Sequence, residues 1–273
     1  ILDELNVVRE VKEKVDQVTL YTPEDALWGN WYSSMNGGNL DDFTGTHPLR
    51  GLNPANGMVI HYSLPESVND STEVILEILD AQGNLVRKLS SKKNPKAKSW
   101  AGGPPVEPTL SNRKGLNRFV YDLRYPTLPG IENVYIESSY RGHKAIPGNY
   151  ILRLSADGKT SEAKAEIKDI PAYNLTPADY QAYHAWMSQL ESEVKTMHDL
   201  INTAKDYQDQ LVALLKRLDG KSQYVALKTE GEKLLKELKA WDEDMVQRRS
   251  TAYDDVENFP NKFTANFMIM MNH

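Results

Sequence analysis

Apolar residues recur along this chain with two different periods. From about Met58 to Lys168 they favour every second position, and beyond Thr176 they follow a three-four spacing. The first period marks strands and the second marks helices that bury one stripe. Val74, Leu76 and Ile78 alternate with Ile75, Glu77 and Leu79, both faces largely apolar, as in a strand inside a sandwich. Residues 80–84 supply a turn. Residues 85–89 then resume alternation, with Leu85 and Leu89 inward and Val86 and Lys88 on the other face, which predicts a hairpin. Phe119, Tyr121 and Leu123 share one side of the next strand, and Tyr150, Leu152 and Leu154 one side of the following one. Asp157-Gly158 is a type I′ turn signal, after which Ala163, Ala165 and Ile167 complete a second hairpin. Upstream, Met58, Ile60, Tyr62 and Leu64 alternate until Pro65 stops the strand. The pattern predicts a core of Val74, Leu76, Ile78, Leu85, Phe119, Tyr121, Tyr150 and Leu152.

From Thr176 the stripe runs Tyr180, Tyr183, Met187, Leu190, Val194, Met197, Ile201, Ala204, Leu211, Leu215 and Leu218, broken by Gln208, as in a coiled-coil seam. Thr176 is placed to cap, Pro177 stands at the first helical position, and Asp219-Gly220 ends the helix. A second helix follows with Tyr224, Leu227, Leu234, Leu238, Trp241 and Met245 in its seam and Gly231 as a weak point. The short connection makes the two helices antiparallel neighbours. At 1.5 Å per residue the first helix would extend about 63 Å and the second about 40 Å. The start of the first, with Tyr183, Trp186 and Leu190, is therefore expected to be covered by something else.

The remaining stretches are less regular. Residues 1–15 have near-helical spacing, 18–21 look extended, and Thr22-Pro23-Glu24-Asp25 looks like the start of a brief helix. Residues 28–56 read as an irregular loop pinned by aromatic anchors. Residues 90–114 form a long connection around Trp100, and 126–147, with Tyr135, Ile136 and Tyr140, suggest a further short strand. The resulting fold class is α+β and multi-part: an immunoglobulin-like antiparallel β-sandwich followed by a long antiparallel helical hairpin (coiled coil). The expected divisions are a strap and aromatic loop at 1–56, the sandwich at 57–172, the hairpin at 173–250, and a tail at 251–273 that packs back on the body.

The chain has 273 residues, a net charge of -6 and no cysteine. Disulfide and thiolate chemistry are excluded. No basic stripe points to nucleic acid, and the longest apolar run, 267–271, is too short to span a bilayer. The start at Ile1 rather than Met suggests a fragment whose targeting signal lies upstream. The histidines His47, His61, His143, His184, His198 and His273 show no pair at zinc-motif spacing, so no metal ligand is assigned. Asn36, Asn39, Asp41 and Asp42 fit turn chemistry better than a calcium loop. Asp122, Glu132, Glu137, Asp254, Asp255 and Glu257 supply carboxylates. There is no nucleophile elbow, phosphate loop or His-acid pair at a diagnostic spacing, so neither a catalytic residue nor a cofactor is assigned. Trp28, Trp31, Tyr32 and Trp100 are candidate carbohydrate contacts, because flat aromatic rings stack on sugars; the competing reading is that they plug a junction between segments.

The pieces Asp80-x-x-Gly83, Val86-Arg87, Gly115-Leu116-Asn117, Phe119-x-Tyr121-Asp122 and Pro147-Gly148-Asn149-Tyr150 resemble the immunoglobulin-like domain of the flagellar hook-capping protein and of many bacterial secreted tails. The order of parts over nearly the whole chain includes ILDELNVVREV at 1–11, VTLYTPEDA at 18–26 and the closing helical pair. It resembles the C-terminal, post-propeller region of large bacterial sortilin-like proteins with bacterial-neuraminidase-type (Asp-box) repeats, often labelled glycosyl hydrolase. The resemblance implies an exported protein (periplasmic, cell-surface or extracellular) with propeller domains upstream as the first partners; a protein partner through the helical hairpin and a carbohydrate are the other partners expected. The Asp-box signature itself does not occur in this chain. The function expected is a non-catalytic assembly or interaction module. The alternative is part of a glycoside hydrolase or a carbohydrate-binding module using the loop aromatics, and whether the parent protein is an enzyme stays open.

Overall fold

From Met58 to Lys168, strands form where the alternation places them. The structure is a computed structural model that describes residues 5–11, 15–29 and 55–271. It is α+β. Thr19–Leu20 (β1), Ala26–Leu27 (β2), Met58–Leu64 (β3), Val74–Asp80 (β4), Leu85–Ser90 (β5), Gly115–Tyr121 (β6), Gly148–Ala156 (β7) and Lys159–Lys168 (β8) make two sheets, ordered β1-β3-β6 and β2-β8-β7-β4-β5. Pairing is antiparallel except between β2 and β8, so the larger sheet is mixed. One buried cluster draws on both sheets, including Ile60, Tyr62 and Leu64 from β3, Leu76 and Ile78 from β4, and Leu152 from β7. Each such aliphatic side chain contributes about 1.5–3 kcal/mol by leaving water.

The β7–β8 turn follows its sequence signal. Asp157 and Gly158 adopt φ of 50° and 69°, the left-handed pair that a type I′ turn requires and that glycine adopts without steric penalty. Between β4 and β5, Asp80 holds the turn by accepting from the Gln82 and Asn84 backbone N–H groups at 2.9 and 2.8 Å.

Strand β5 corrects the expected core. Leu85 is 53% exposed, while Val86, Arg87 and Leu89 are buried. The ladder shifts between Ile78 and Leu79: Arg87 faces Ile78, Leu85 faces Leu79, and Val86 is the extra residue of a bulge. A bulge turns two successive side chains toward one face and inverts the alternation beyond it, so Val86 replaces Leu85 inside. The inward Arg87 is accommodated because its guanidinium donates to the Tyr125 carbonyl and pairs with Glu107. Phe119 is half-buried against the cluster, and the other predicted core residues are buried.

Two other expectations fail. The segment after Thr22 is not helical; Ala26 and Leu27 pair in parallel with Ile167 and Lys168, so the open edge of β8 captures this segment. Residues 127–142 carry no strand, and Ile131, Val134, Ile136 and Tyr140 are buried there as individual anchors.

Among the described residues the α-helices are Leu5–Glu10 (α1), Pro177–Leu218 (α2), Val225–Met245 (α3) and Phe263–Met271 (α4). Helix α2 starts at a reciprocal cap: the Asp179 N–H donates to Thr176 Oγ1 at 3.3 Å, and the Thr176 N–H donates to Asp179 Oδ2 at 2.8 Å. The chain divides into two compact units. The first comprises 1–95, 107–126 and 143–185, and the second 96–106, 127–142 and 186–273.

Candidate functional site

In the second unit α2 and α3 run antiparallel, because Leu215 lies against Gly231 and Gln208 Nε2 donates to the Leu238 carbonyl at 3.3 Å. A Cβ on Gly231 would stand 2.9 Å from Leu215 Cδ2, so the glycine read as a weak point in the helix is where the two helices approach closely. Val194, Ile201, Leu215 and Leu218 are buried, together with Gln208, whose amide has its acceptor across the seam. His198 is fully buried; its Nδ1 donates to the Pro129 carbonyl at 2.7 Å. Its Nε2 has no hydrogen-bond partner among the described residues. Burial holds its pKa below the usual histidine value, so the neutral ring is the folded form.

The predicted seam of α3 holds at Leu238 and Met245 but not at its other members. Leu227, Leu234 and Trp241 are exposed, and Tyr224 lies in the short 3-10 turn before α3. The side chains turned inward belong to the columns Lys228, Leu235, Asp242 and Gly231, Leu238, Met245. The seven-residue spacing of Leu227, Leu234 and Trp241 is real, but it belongs to a flanking column. Helix α2 carries a matching flank of Leu200, Tyr207 and Leu214, also seven apart, with Leu200 58% and Tyr207 59% exposed. Trp186, expected to be covered, is 65% exposed and continues this column toward the helix start, with Glu193 between.

The two flanks meet in one recess. A cavity of ≈ 370 Å³ is lined by Met197 and Leu200 of α2, Trp241 and Met245 of α3, and Phe263 and Phe267 of α4, with Glu193 and Thr196 at its edge. The Phe263 and Phe267 rings are stacked with centroids 6.2 Å apart. Soluble chains rarely leave so many large apolar side chains in water on one face without a partner for them. The sequence signal existed: apolar residues at 200, 207 and 214 repeat one position before the seam residues at 201, 208 and 215.

The first unit holds a polar cluster. His143 Nε2 and His184 Nδ1 are 2.8 Å apart, and Tyr125 stacks on His143 with centroids 4.3 Å apart. Lys144 is buried, with Nζ donating to the Gly29 carbonyl. Burial, and secondarily the charge of Arg124, lowers its pKa to about 8, with Asp122 acting in the opposite direction. A second recess of ≈ 310 Å³, open beside Glu166, Lys168 and Tyr180, lies in this unit.

Of the sequence-predicted sugar contacts, Trp28 and Trp100 are among the described residues, each within its own unit. Trp28 meets Tyr173, Tyr180 and Tyr183 edge-on, with centroids 6.2, 5.0 and 5.8 Å away, in the first unit. Trp100 belongs to the second unit, where its Nε1 donates to the Val134 carbonyl at 2.8 Å and its ring lies against Gly103 and Gly130. Trp31 and Tyr32 lie outside the described residues, as do Asn36, Asn39, Asp41, Asp42, His47 and His273. Several carboxylates have structural partners: Asp122 accepts from the Arg124 N–H at 3.2 Å, Glu132 pairs with Lys98 at 2.6 Å, and Asp255 accepts the Thr251 N–H at 2.6 Å. Among the described residues there is no group of three or more His, Asp or Glu side chains able to hold a metal ion, and no helix long and apolar enough to cross a membrane. Compared with known proteins, the chain matches no family model and no curated protein.

Proposed function

We propose that this chain is a non-catalytic interaction module that binds a protein partner through the apolar face of the α2–α3 pair. The observation that carries this is the recess between Leu200, Trp241 and Phe263, flanked by apolar columns exposed along both helices. An enzyme's cleft gathers acids, bases or nucleophiles around a reacting atom, whereas this one gathers aliphatic and aromatic side chains. In the same reading the strands form an immunoglobulin-like sandwich and the helical pair an antiparallel coiled coil. The core cluster drawn from both sheets and the Leu215–Gly231 and Gln208–Leu238 contacts support these two assignments. The resemblance carried by the order of parts, with ILDELNVVREV at 1–11, VTLYTPEDA at 18–26 and the closing helical pair, supports placing the module in an exported propeller protein.

Site-specific photo-crosslinking tests the proposal. A photoreactive residue at Leu234, on the apolar face, should capture a discrete partner in the native host. One at Lys239, on the other side of α3, should not, and Leu200→Glu should abolish the Leu234 product. Equal products from both positions, or none from Leu234, would overturn the reading. So would turnover of aryl glycosides by the chain that a single carboxylate substitution abolishes.

A further inference from the structure

The geometry points to a basic amphipathic helix as the occupant of the α2–α3 face, an inference that rests on the interaction reading above. Shape sets the class of ligand. Two antiparallel helices with apolar flanks on one side form the groove into which a third helix of a bundle packs. Leu200, Tyr207 and Leu214 on α2, and Leu227, Leu234 and Trp241 on α3, each repeat every seven residues, the spacing that a partner's a and d side chains would meet. Each column runs about 21 Å, the length of roughly four helical turns. An extended peptide, by contrast, needs an open sheet edge, which this face lacks because it is built from helices.

Charge selects among helices. Immediately outside the apolar column of α3 stands an acidic one, Glu230, Glu237 and Asp244, again seven apart, and Glu193 lies at the edge of the recess on α2. All four carboxylates are exposed. Among the described residues none of the four makes an ion pair, whereas three lysines of the pair are engaged with other carboxylates: Lys195 with Asp199 at 2.6 Å, Lys205 with Asp209, and Lys228 with Asp219 at 2.7 Å. In coiled coils, charged columns beside an apolar seam choose the partner. Lysines or arginines flanking an incoming apolar stripe would complete this one. A second copy supplies no such cations: the outer column of α3 is acidic, and that of α2 reads Thr196, Thr203 and Gln210 before Arg217 near the tip. An anionic lipid surface would be repelled by the same carboxylates.

The test uses the full chain and two designed peptides of about three heptads, each with leucine at a and d, one flanked by lysine and the other by glutamate. Titration calorimetry should show the lysine peptide binding at least about tenfold more tightly at low salt, with the advantage shrinking as salt is raised. Leu234→Glu should abolish binding. The triple variant E230K/E237K/D244K should invert the preference; all three positions are exposed, and circular dichroism confirms that each variant is folded. Equal affinity for both peptides, or binding of neither, overturns the basic-helix assignment. So does a concentration-dependent dimer that Leu234→Glu dissociates, which would mean that a second copy takes the face. If crosslinks at Leu234 persist while the peptide results fail, only the identity of the occupant is lost. If the Leu234 crosslinks are absent, the interaction reading falls with it.

Discussion

Lys144→Met should lose stability relative to the parent as the pH rises from neutral into alkali. Lys144 is buried beside Arg124, with its amine on the Gly29 carbonyl. Its pKa falls from 10.5 to about 8 on folding, chiefly through burial. The unfolded chain therefore binds more protons than the folded one between about pH 8 and 10.5, and stability rises with pH across that window. At pH 7 the whole penalty is present. A drop of that size corresponds to about 3 kcal/mol at 1.36 kcal/mol per unit, and screening of a partly wetted amine trims this to about 2–3 kcal/mol. Methionine removes the penalty but leaves the Gly29 carbonyl without its donor, at about 1–3 kcal/mol. The variant should accordingly lie between about 1 kcal/mol less and about 2 kcal/mol more stable than the parent at pH 7, and should lose ground to it by pH 9.5. Urea denaturation of both chains from pH 7 to 9.5 measures the difference. Buried tyrosines such as Tyr121, whose pKa burial raises, are common to both chains and cancel. A difference that stays constant over this range would refute the account of Lys144.

Other substitutions test the packing. His198, held neutral by burial, contributes stability that is complete above its ordinary pKa of 6.5 and is lost as pH falls below it, because the unfolded chain then takes up a proton that the folded one resists. Denaturation midpoints of the parent should drop between pH 7.5 and 5.5, and His198→Phe should flatten that part of the profile. Trp28→Ala should cost about 3–5 kcal/mol, because the ring packs against the core and three tyrosines. Trp28→Phe should cost less than about 2 kcal/mol, since it also deletes a buried indole N–H that has no partner among the described residues; equal losses from both, read by thermal unfolding, would contradict this. Val86→Ala should cost about 2 kcal/mol and Leu85→Ser within about 0.5 kcal/mol, the reverse of what unbroken alternation implies.

Local rules carried the regular elements further than their neighbours. The cap at Thr176, the turn at Asp157-Gly158 and the length of α2 were legible because each depends on residues close in sequence. The register of β5 was not, because a bulge at Val86 is decided by pairing with β4 and by the partners that Arg87 finds at Tyr125 and Glu107. The extended Ala26–Leu27 likewise depends on a sheet edge more than a hundred residues away. On the helical pair, heptad spacing placed Leu238 and Met245 inward, but it set the Leu227 column beside them where the column of Lys228, Leu235 and Asp242 belongs. The Leu227 column is the more apolar of the two, and it is the close approach at Gly231 that fixes the rotation of the helix. The recess was hidden for the same reason, since Trp241 and Phe263 come together only once the tail folds back on the pair.

The interleaving of the two compact units bears on synthesis at the ribosome. The chain leaves the first unit after residue 95, returns at 107, leaves again after 126 and returns at 143. Trp100 and Ile131 are thus made long before Val194 and Ile201, and the cluster that contains Ile131 is complete only with Met268. Vectorial folding, in which a finished N-terminal domain consolidates before the next emerges, is not open to the second unit. Its early segments must wait through more than a hundred residues of further translation, a high contact order that slows closure and leaves apolar side chains exposed to holdase chaperones meanwhile. A cut at residue 186 would sever the helical pair from Trp100, Ile131 and Tyr140, so the hairpin produced alone would lack the anchors beneath it.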